Sequence, residues 1–215
     1  RHSFPTRRSS DLHRLLKRYR KRKQRFGARE YPPGPKIPNR VGIEKRPKTV
    51  ENRSRLGDLE GDLIHGYCAS GYILSVVDRK SRYIILRKLK NKRKSTVRIQ
   101  LERAVIKLKQ AKTLTLDNGS EFCDHQEFTA NTRVPVYFAH PYTSSERGTN
   151  ENSNALVRHF LPKKTCFKNL NQSRLNEIQD LLNHRPRECL DYLTPHEVQF
   201  NKPPKISPPN RPLHL

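Results

Sequence analysis

Three acidic residues, Asp62, Asp117 and Glu151, have a type and spacing that could support chemistry on a nucleic acid backbone. A phosphodiester reaction needs positive charge at the scissile phosphate. Two Mg²⁺ ions can supply that charge, one activating the attacking oxygen and the other stabilising the leaving oxygen. Mg²⁺ takes oxygen ligands and keeps several waters, so a few carboxylates suffice to hold it. The three acids therefore predict a site for Mg²⁺, with Mn²⁺ as a substitute ion.

The chain as a whole is strongly basic. Its 215 residues include 45 Lys and Arg against 20 Asp and Glu, for a formal net charge of +25. Such a balance points to a polyanion partner, and nucleic acid is the first candidate. No apolar run approaches the roughly 20 residues of a membrane-spanning helix, so no membrane partner is expected. The four cysteines form no CxxC pair, which argues against a zinc site and fits reduced thiols in a cytoplasmic protein.

Other acids near these three have alternative interpretations. The stretch GDLEGDLIHG, residues 57–66, contains Asp58 and Glu60 as well as Asp62. We expect Asp58 and Glu60 on the loop that enters the first strand, although Glu60 shares the strand parity of Asp62 and could support it from the same face. Glu146 is an alternative third ligand, but its place near a helix start also suits the helix dipole.

The elements that must position the acids follow from the hydrophobic pattern. Three β-branched runs with short turns predict an antiparallel meander, and alternating helices and strands follow it. The predicted order is strands 62–68, 71–78 and 81–89, helix 91–110, strand 111–119, short helix 123–131, strand 134–141 and helices 144–161 and 173–186. This order predicts an α/β fold of the RNase H-like type, with a mixed sheet of meander and parallel strands flanked by helices.

In that fold the three acids come from different elements. Asp62 opens the first strand, Asp117 ends the fourth strand, and Glu151 lies in the helix after the fifth strand. The fourth strand is expected beside the first, which would bring the two aspartates to one place.

Four segments are expected along the chain. Residues 1–12 read like a translated sequencing adapter, and the absence of Met indicates a fragment. Residues 13–55 form a basic arm with sixteen Lys and Arg against three Glu, a net charge of +13. Residues 56–200 form the catalytic domain, and 201–215 a Pro-rich tail. The densest part of the arm supplies the candidate nucleic-acid contacts Lys17, Arg18, Arg20, Lys21, Arg22 and Lys23.

Five motifs occur in order: GDLEGDLIHG, VDRKSRY, LTLDNGSEF, YFAHPYTSSERGTNENSNALVRHF and LNHRPRECLDYLTPHEV. Together they resemble the catalytic region of insertion-sequence-thirty family transposases, which are DDE enzymes related to retroviral integrases. The resemblance covers roughly residues 14–202. It implies metal-dependent cleavage of DNA at transposon ends, transfer of the 3′-OH into target DNA, and action as a homo-oligomer on the nucleoid in a bacterial cytoplasm.

The resemblance also implies roles for single residues. Asp62, Asp117 and Glu151 match the three metal-binding acids of the family. Arg158 matches a basic position that would contact DNA, and it shares a helix face with Glu151 because seven residues make two turns. Three asparagines around the glutamate are further candidates for DNA contact, namely Asn150, Asn152 and Asn154.

The sequence departs from the family pattern in two ways. Leu59 and Ser145 stand where the family usually has Trp, and the N-terminal helix-turn-helix that reads transposon ends is missing, so the chain is expected to be N-terminally truncated. Two alternatives to a transposase therefore stay open. One is a catalytically inactive basic DNA-binding remnant. The other is an RNase H-like nuclease without joining activity.

Overall fold

The computed structural model of this chain describes residues 37–108, 110–141 and 143–201, with only the backbone described at Ser144 and Ser145. Five strands and five α-helices lie in these ranges. In chain order they are β1 Asp58–His65, β2 Tyr72–Asp78, β3 Ile84–Leu89, α1 Lys94–Leu108, β4 Thr113–Leu116, α2 His125–Thr132, β5 Val136–Phe138, α3 Gly148–Phe160, α4 Gln172–Asn183 and α5 Pro195–Phe200. None of the described helices is long and apolar enough to cross a membrane.

The five strands form one mixed sheet in the order β3-β2-β1-β4-β5. The pairs β1–β2 and β2–β3 are antiparallel, whereas β1–β4 and β4–β5 are parallel. This confirms the predicted meander followed by parallel strands. The parallel register pairs Asp58 with Thr113 and Glu60 with Thr115, so continuing it by two residues aligns Asp62 with Asp117.

Each face of the sheet carries a separate hydrophobic core, because successive strand residues point to opposite sides. Leu59 and Leu63 of β1 pack on the face that α1 and α2 cover. Ile64 packs on the other face with α3 and α4. The apolar stripe of α1 is buried, at Val97, Leu101, Val105 and Leu108. In α4 the buried stripe consists of Leu175, Ile178 and Leu182, whereas Leu181 is 54% exposed.

The first strand begins earlier than the sequence suggested. Asp58 and Glu60 were expected on an entry loop, but both lie within β1 and are fully buried. Each carboxylate is matched by a guanidinium, Arg55 for Asp58 and Arg79 for Glu60. Buried charges persist when they are paired and hydrogen-bonded, and hydrophobic patterning cannot reveal that pairing. The range 144–161, predicted as one helix, begins with the 3₁₀ helix Ser144–Arg147 before α3, and the final helix α5 was not predicted.

Residues from 37 onward pack against the sheet, although the sequence assigned 13–55 to a basic arm. Ile37, Ile43 and Val50 are buried. The backbone N–H of Phe138 in the edge strand β5 donates to the carbonyl of Val41 at 2.9 Å, which partly covers that edge. The six basic residues proposed for nucleic-acid contact, from Lys17 to Lys23, lie outside the described residues, as do the N-terminal segment 1–12 and the tail after 201.

Candidate active site

Asp62 and Asp117 face one point at the centre of the sheet. Asp62 lies within β1, and Asp117 directly follows the neighbouring parallel strand β4. The guanidinium of Arg147 lies between them, with Nη1 3.4 Å from Oδ1 of Asp62 and Nη2 3.7 Å from Oδ2 of Asp117. One cation thus contacts both carboxylates, and the parallel pairing predicted from the sequence brings the two aspartates together.

The surroundings of Asp62 disfavour its negative charge. Burial raises the pKa of the Asp62 carboxyl above its ordinary value, and the nearby charge of Asp117 raises it further. The guanidinium of Arg147 and the backbone N–H of Leu63 oppose this shift. A desolvated pair of carboxylates is stabilised by a cation, because each ionised acid otherwise raises the energy of the other.

Helix α3 is hydrogen-bonded directly to this site. Asn154 donates from Nδ2 to Oδ2 of Asp62 at 2.7 Å and accepts at Oδ1 from the hydroxyl of Ser75 at 2.8 Å. Ser75 is the β2 residue that pairs with Asp62 in the sheet. The amide of Asn154 therefore links β1, β2 and α3 and holds the Asp62 carboxylate in one orientation.

Glu151 lies in the first turn of α3, three residues before Asn154 and so on the same side of the helix. Its side chain is exposed and, in the part of the chain described, makes no ion pair or hydrogen bond. No group of three His, Cys, Asp or Glu in a metal-holding arrangement occurs within the described residues. The structure thus joins two of the three predicted acids and places the third on the adjoining helix.

A buried ion pair fixes the start of α3. Glu60 accepts a hydrogen bond from the backbone N–H of Asn150 at Oε2 and from Nη1 of Arg79 at Oε1, each at 2.8 Å. Arg82 donates to the hydroxyl of Thr149 at 2.9 Å in the same turn. A carboxylate at a helix N-terminus satisfies an otherwise unpaired N–H and suits the dipole. Glu60 therefore acts on the helix that carries Glu151.

The residues predicted to contact DNA have different environments. Asn150 is fully buried, whereas its neighbour Asn152 is exposed. Arg158 donates to the carbonyl of His65 at 2.7 Å, and its guanidinium lies 5.7 Å above the ring of Phe167. Burial lowers the pKa of Arg158 from its ordinary value. Arg158 thus joins α3 to the end of β1, next to the site.

Glu146, the alternative third ligand, is held by a histidine. It accepts from the backbone N–H of His140, and its Oε1 lies 2.8 Å from Nδ1 of the same residue. Although burial works against ionisation, the bonds from His140 hold the pKa of Glu146 below its ordinary value. This pairing commits the carboxylate to the loop before α3, and both its oxygens are already occupied.

Sequence reasoning missed Arg147 and the pairing of Glu60 with Arg79. Strand parity did place Glu60 on the face of Asp62, which is its side of the sheet in the structure. Nothing in the sequence singled out Arg147 among 45 basic residues, because its role depends on a contact with two strands that are distant in sequence.

The residues present fit a divalent cation. Asp62 and Asp117 offer carboxylate oxygens, the ligands that Mg²⁺ prefers. The positively charged guanidinium of Arg147 already lies between them, where a metal ion would bind.

Comparison with known proteins agrees with this geometry. Residues 54–144 match the integrase core domain family. The transposase for insertion sequence element IS4351 of Bacteroides fragilis is 40% identical over 192 residues, which are 89% of this chain and 59% of that protein. The transposase InsI for insertion sequence element IS30A of Escherichia coli strain K12 is 42% identical over 164 residues, which are 75% of this chain and 43% of that protein. Residues 54–144 of this chain are thus similar to the integrase core domain family. This chain spans about half the length of the curated relatives it matches.

A solved structure shares the fold of this integrase core. It is a chain in the cryoEM structure of a simian T-cell lymphotropic virus intasome in complex with PP2A regulatory subunit B56 gamma. The TM-score is 0.56 at 20% identity, over 70% of this chain and 56% of that chain. The mixed five-stranded sheet flanked by helices is therefore RNase H-like, as predicted. Members of the integrase core family act on DNA and generally use divalent metal ions.

Proposed function

We propose that this integrase core is the catalytic region of a DDE transposase, a polynucleotidyl transferase. It would cut DNA strands at transposon ends and join the released 3′-OH to target DNA. One observation supports this most strongly: Asp62 in β1 and Asp117, directly after the parallel strand β4, face one cation in a chain that matches the integrase core domain.

In this proposal Asp62, Asp117 and Glu151 hold Mg²⁺, which Mn²⁺ can replace. Bound metal ions would activate the attacking oxygen and stabilise the leaving oxygen at the scissile phosphate. Asn154 keeps the Asp62 carboxylate oriented, and Glu60 fixes the turn from which Glu151 projects. Because Glu151 is exposed, its side chain has room to turn toward the two aspartates.

We propose DNA as the partner on the grounds of charge. The proposed contacts Arg158, Asn150, Asn152 and Asn154 all lie on α3, the helix whose Asn154 is hydrogen-bonded to Asp62. The basic arm, Lys17 to Lys23 included, would add contacts to phosphates that weaken as salt rises. Joining two transposon ends requires more than one active site, so we propose a homo-oligomer that acts on nucleoid DNA in a bacterial cytoplasm.

The test is an assay of labelled DNA duplexes with Mg²⁺ or Mn²⁺, resolved on denaturing gels. We expect shorter products from cleavage and longer products from joining, both lost in EDTA and both lost in Asp117→Asn. The matched control is Asp191→Asn, which makes the same change on an exposed loop whose left-handed backbone suits Asn.

Three results would count against the proposal. Absence of both products in the unaltered protein would favour the inactive DNA-binding remnant. Shorter products without longer ones would favour a nuclease that does not join. Unchanged activity of Asp117→Asn would show that Asp117 is not needed for the reaction.

A further inference from the structure

We infer that Arg147 is a positioning residue of the metal site, which holds the carboxylates of Asp62 and Asp117 together before a metal ion binds and releases both when it does. This inference rests on the proposed function, since it assumes that the aspartates bind metal. It starts from the position of one guanidinium, whose two terminal nitrogens contact different carboxylates on different strands.

The two carboxylates need a counter-ion when no metal is present. The side chains of Asp62 and Asp117 are only 23% and 36% exposed, so water screens them incompletely. An arginine supplies a positive charge at any pH at which the protein is folded, because it does not lose its proton in proteins. Arg147 therefore lowers the repulsion that would otherwise drive the aspartates apart or protonate one of them.

The contacts of Arg147 are loose compared with the structural ion pairs of the same chain. Arg79 reaches Glu60 at 2.8 Å and Arg55 reaches Asp58 at 2.9 Å, both as hydrogen bonds. Arg147 lies 3.4 and 3.7 Å from its aspartates. Charge-assisted hydrogen bonds are about 2.7–2.9 Å long, so neither contact of Arg147 is one.

The guanidinium of Arg147 is also incompletely satisfied. Among the described residues, its buried Nε and Nη1 receive no hydrogen-bond partner. A divalent ion carries twice the charge of a guanidinium and binds carboxylate oxygens at about 2.0–2.1 Å. The carboxylate oxygens of Asp62 and Asp117 thus interact weakly with Arg147 and would bind a metal ion strongly. Arg147 and the metal ion therefore compete for these oxygens.

Arg147 lies at the junction of two helical segments. It is the last residue of the 3₁₀ helix Ser144–Arg147, and α3 begins at the next residue, Gly148. No atom lies within 4 Å of the position where Gly148 would carry a Cβ, apart from its own neighbourhood in the chain. The backbone directly after Arg147 is therefore open on one side.

The test measures the affinity for Mn²⁺ and Mg²⁺ by isothermal titration calorimetry, without DNA. We expect Arg147→Ala to bind metal about tenfold more tightly than the unaltered protein, a difference of about 1.4 kcal/mol. Arg147→Lys keeps the charge but not the fork, so its affinity should lie between the two. Arg103→Ala removes a charge from an exposed position of α1 and should bind metal as the unaltered protein does.

The rise in melting temperature on adding metal provides a second readout that a merely structural role would not change. In EDTA we expect Arg147→Ala to melt below the unaltered protein. Saturating Mn²⁺ should raise the melting temperature of Arg147→Ala by more than it raises that of the unaltered protein. A tighter metal Kd in Arg147→Ala together with this larger rise supports the inference.

Unchanged or weaker metal binding by Arg147→Ala, while the unaltered protein binds metal, overturns this inference and leaves the proposed function standing. Should Arg147→Ala fail to fold, the same comparison is made with Arg147→Lys. Absence of metal binding in all variants overturns the inference and the proposed function together.

Discussion

The side-chain amide of Asn154 donates a 2.7 Å hydrogen bond to the carboxylate of Asp62, ninety-two positions away in the chain. Its oxygen accepts from Ser75 on the neighbouring strand. The residue that sets the orientation of one aspartate is thus on the helix that carries Glu151. These hydrogen bonds join the strand, the helix and the Asp62 carboxylate to one another.

Replacing Asn154 with Ala should lower metal-dependent strand cleavage by about 10- to 100-fold, the usual effect of losing a residue that orients a metal ligand. Cleavage rates at saturating metal and the metal Kd would both be measured. Asn169→Ala provides the control, because Asn169 is exposed on the loop before α4 and makes no side-chain hydrogen bond among the described residues. Equal rates for the two variants would show that Asp62 needs no such support.

Replacing Glu60 with Gln should destabilise the fold by about 3–5 kcal/mol, because it leaves the buried guanidinium of Arg79 without its counter-ion. Urea denaturation measures the free energy of unfolding. Glu177→Gln breaks an exposed pair with Arg174 and should cost about 0.5 kcal/mol or less. A loss for Glu60→Gln as small as that for Glu177→Gln would contradict the proposed anchoring of α3.

Replacing Asp62 with Asn should stabilise the protein in EDTA near neutral pH. Burial raises the pKa of the Asp62 carboxyl, so its ionised form costs stability in the fold. This cost is absent below the unfolded pKa and develops as pH rises through the raised folded pKa. At pH 8 the variant should have a higher melting temperature than the unaltered protein, and at pH 4 this difference should be smaller. Adding metal should no longer stabilise the variant.

The matched control for that prediction is Asp191→Asn, an exposed carboxylate. Its melting temperature should follow that of the unaltered protein at both pH values. A lower melting temperature for Asp62→Asn at pH 8 would mean that the contacts of Asp62 with Arg147 and Asn154 outweigh its burial.

Removing residues 1–55 should leave the catalytic domain less stable than removing residues 1–35. The longer deletion removes the burial of Ile37, Ile43 and Val50 and uncovers part of the β5 edge. Burial of each such side chain contributes about 1.5–3 kcal/mol, a large share of a typical 5–15 kcal/mol of stability. Thermal melting and sedimentation compare the two proteins, and equal stability would place the domain boundary after residue 55.

The sequence alone was sufficient for the fold and for the neighbouring positions of Asp62 and Asp117 in it. Strand periodicity predicted the meander and the parallel strands, since alternation of side chains along a strand is a local property. The same pattern placed Asp62 in one strand and Asp117 at the end of its neighbour, and the motifs indicated the family to which residues 54–144 are similar. The bounds of β1 were missed because its first acids read as loop residues.

Only the tertiary structure decided which charges meet. Glu60 is buried against Arg79, and Arg147 lies between Asp62 and Asp117, because strands and loops far apart in sequence pack at one place. Coulomb interactions depend on distance and solvent exposure, and neither quantity can be predicted from the local sequence. The sequence therefore determined where the acids stand in the fold, while packing determined which are structural, which is exposed and which share a cation.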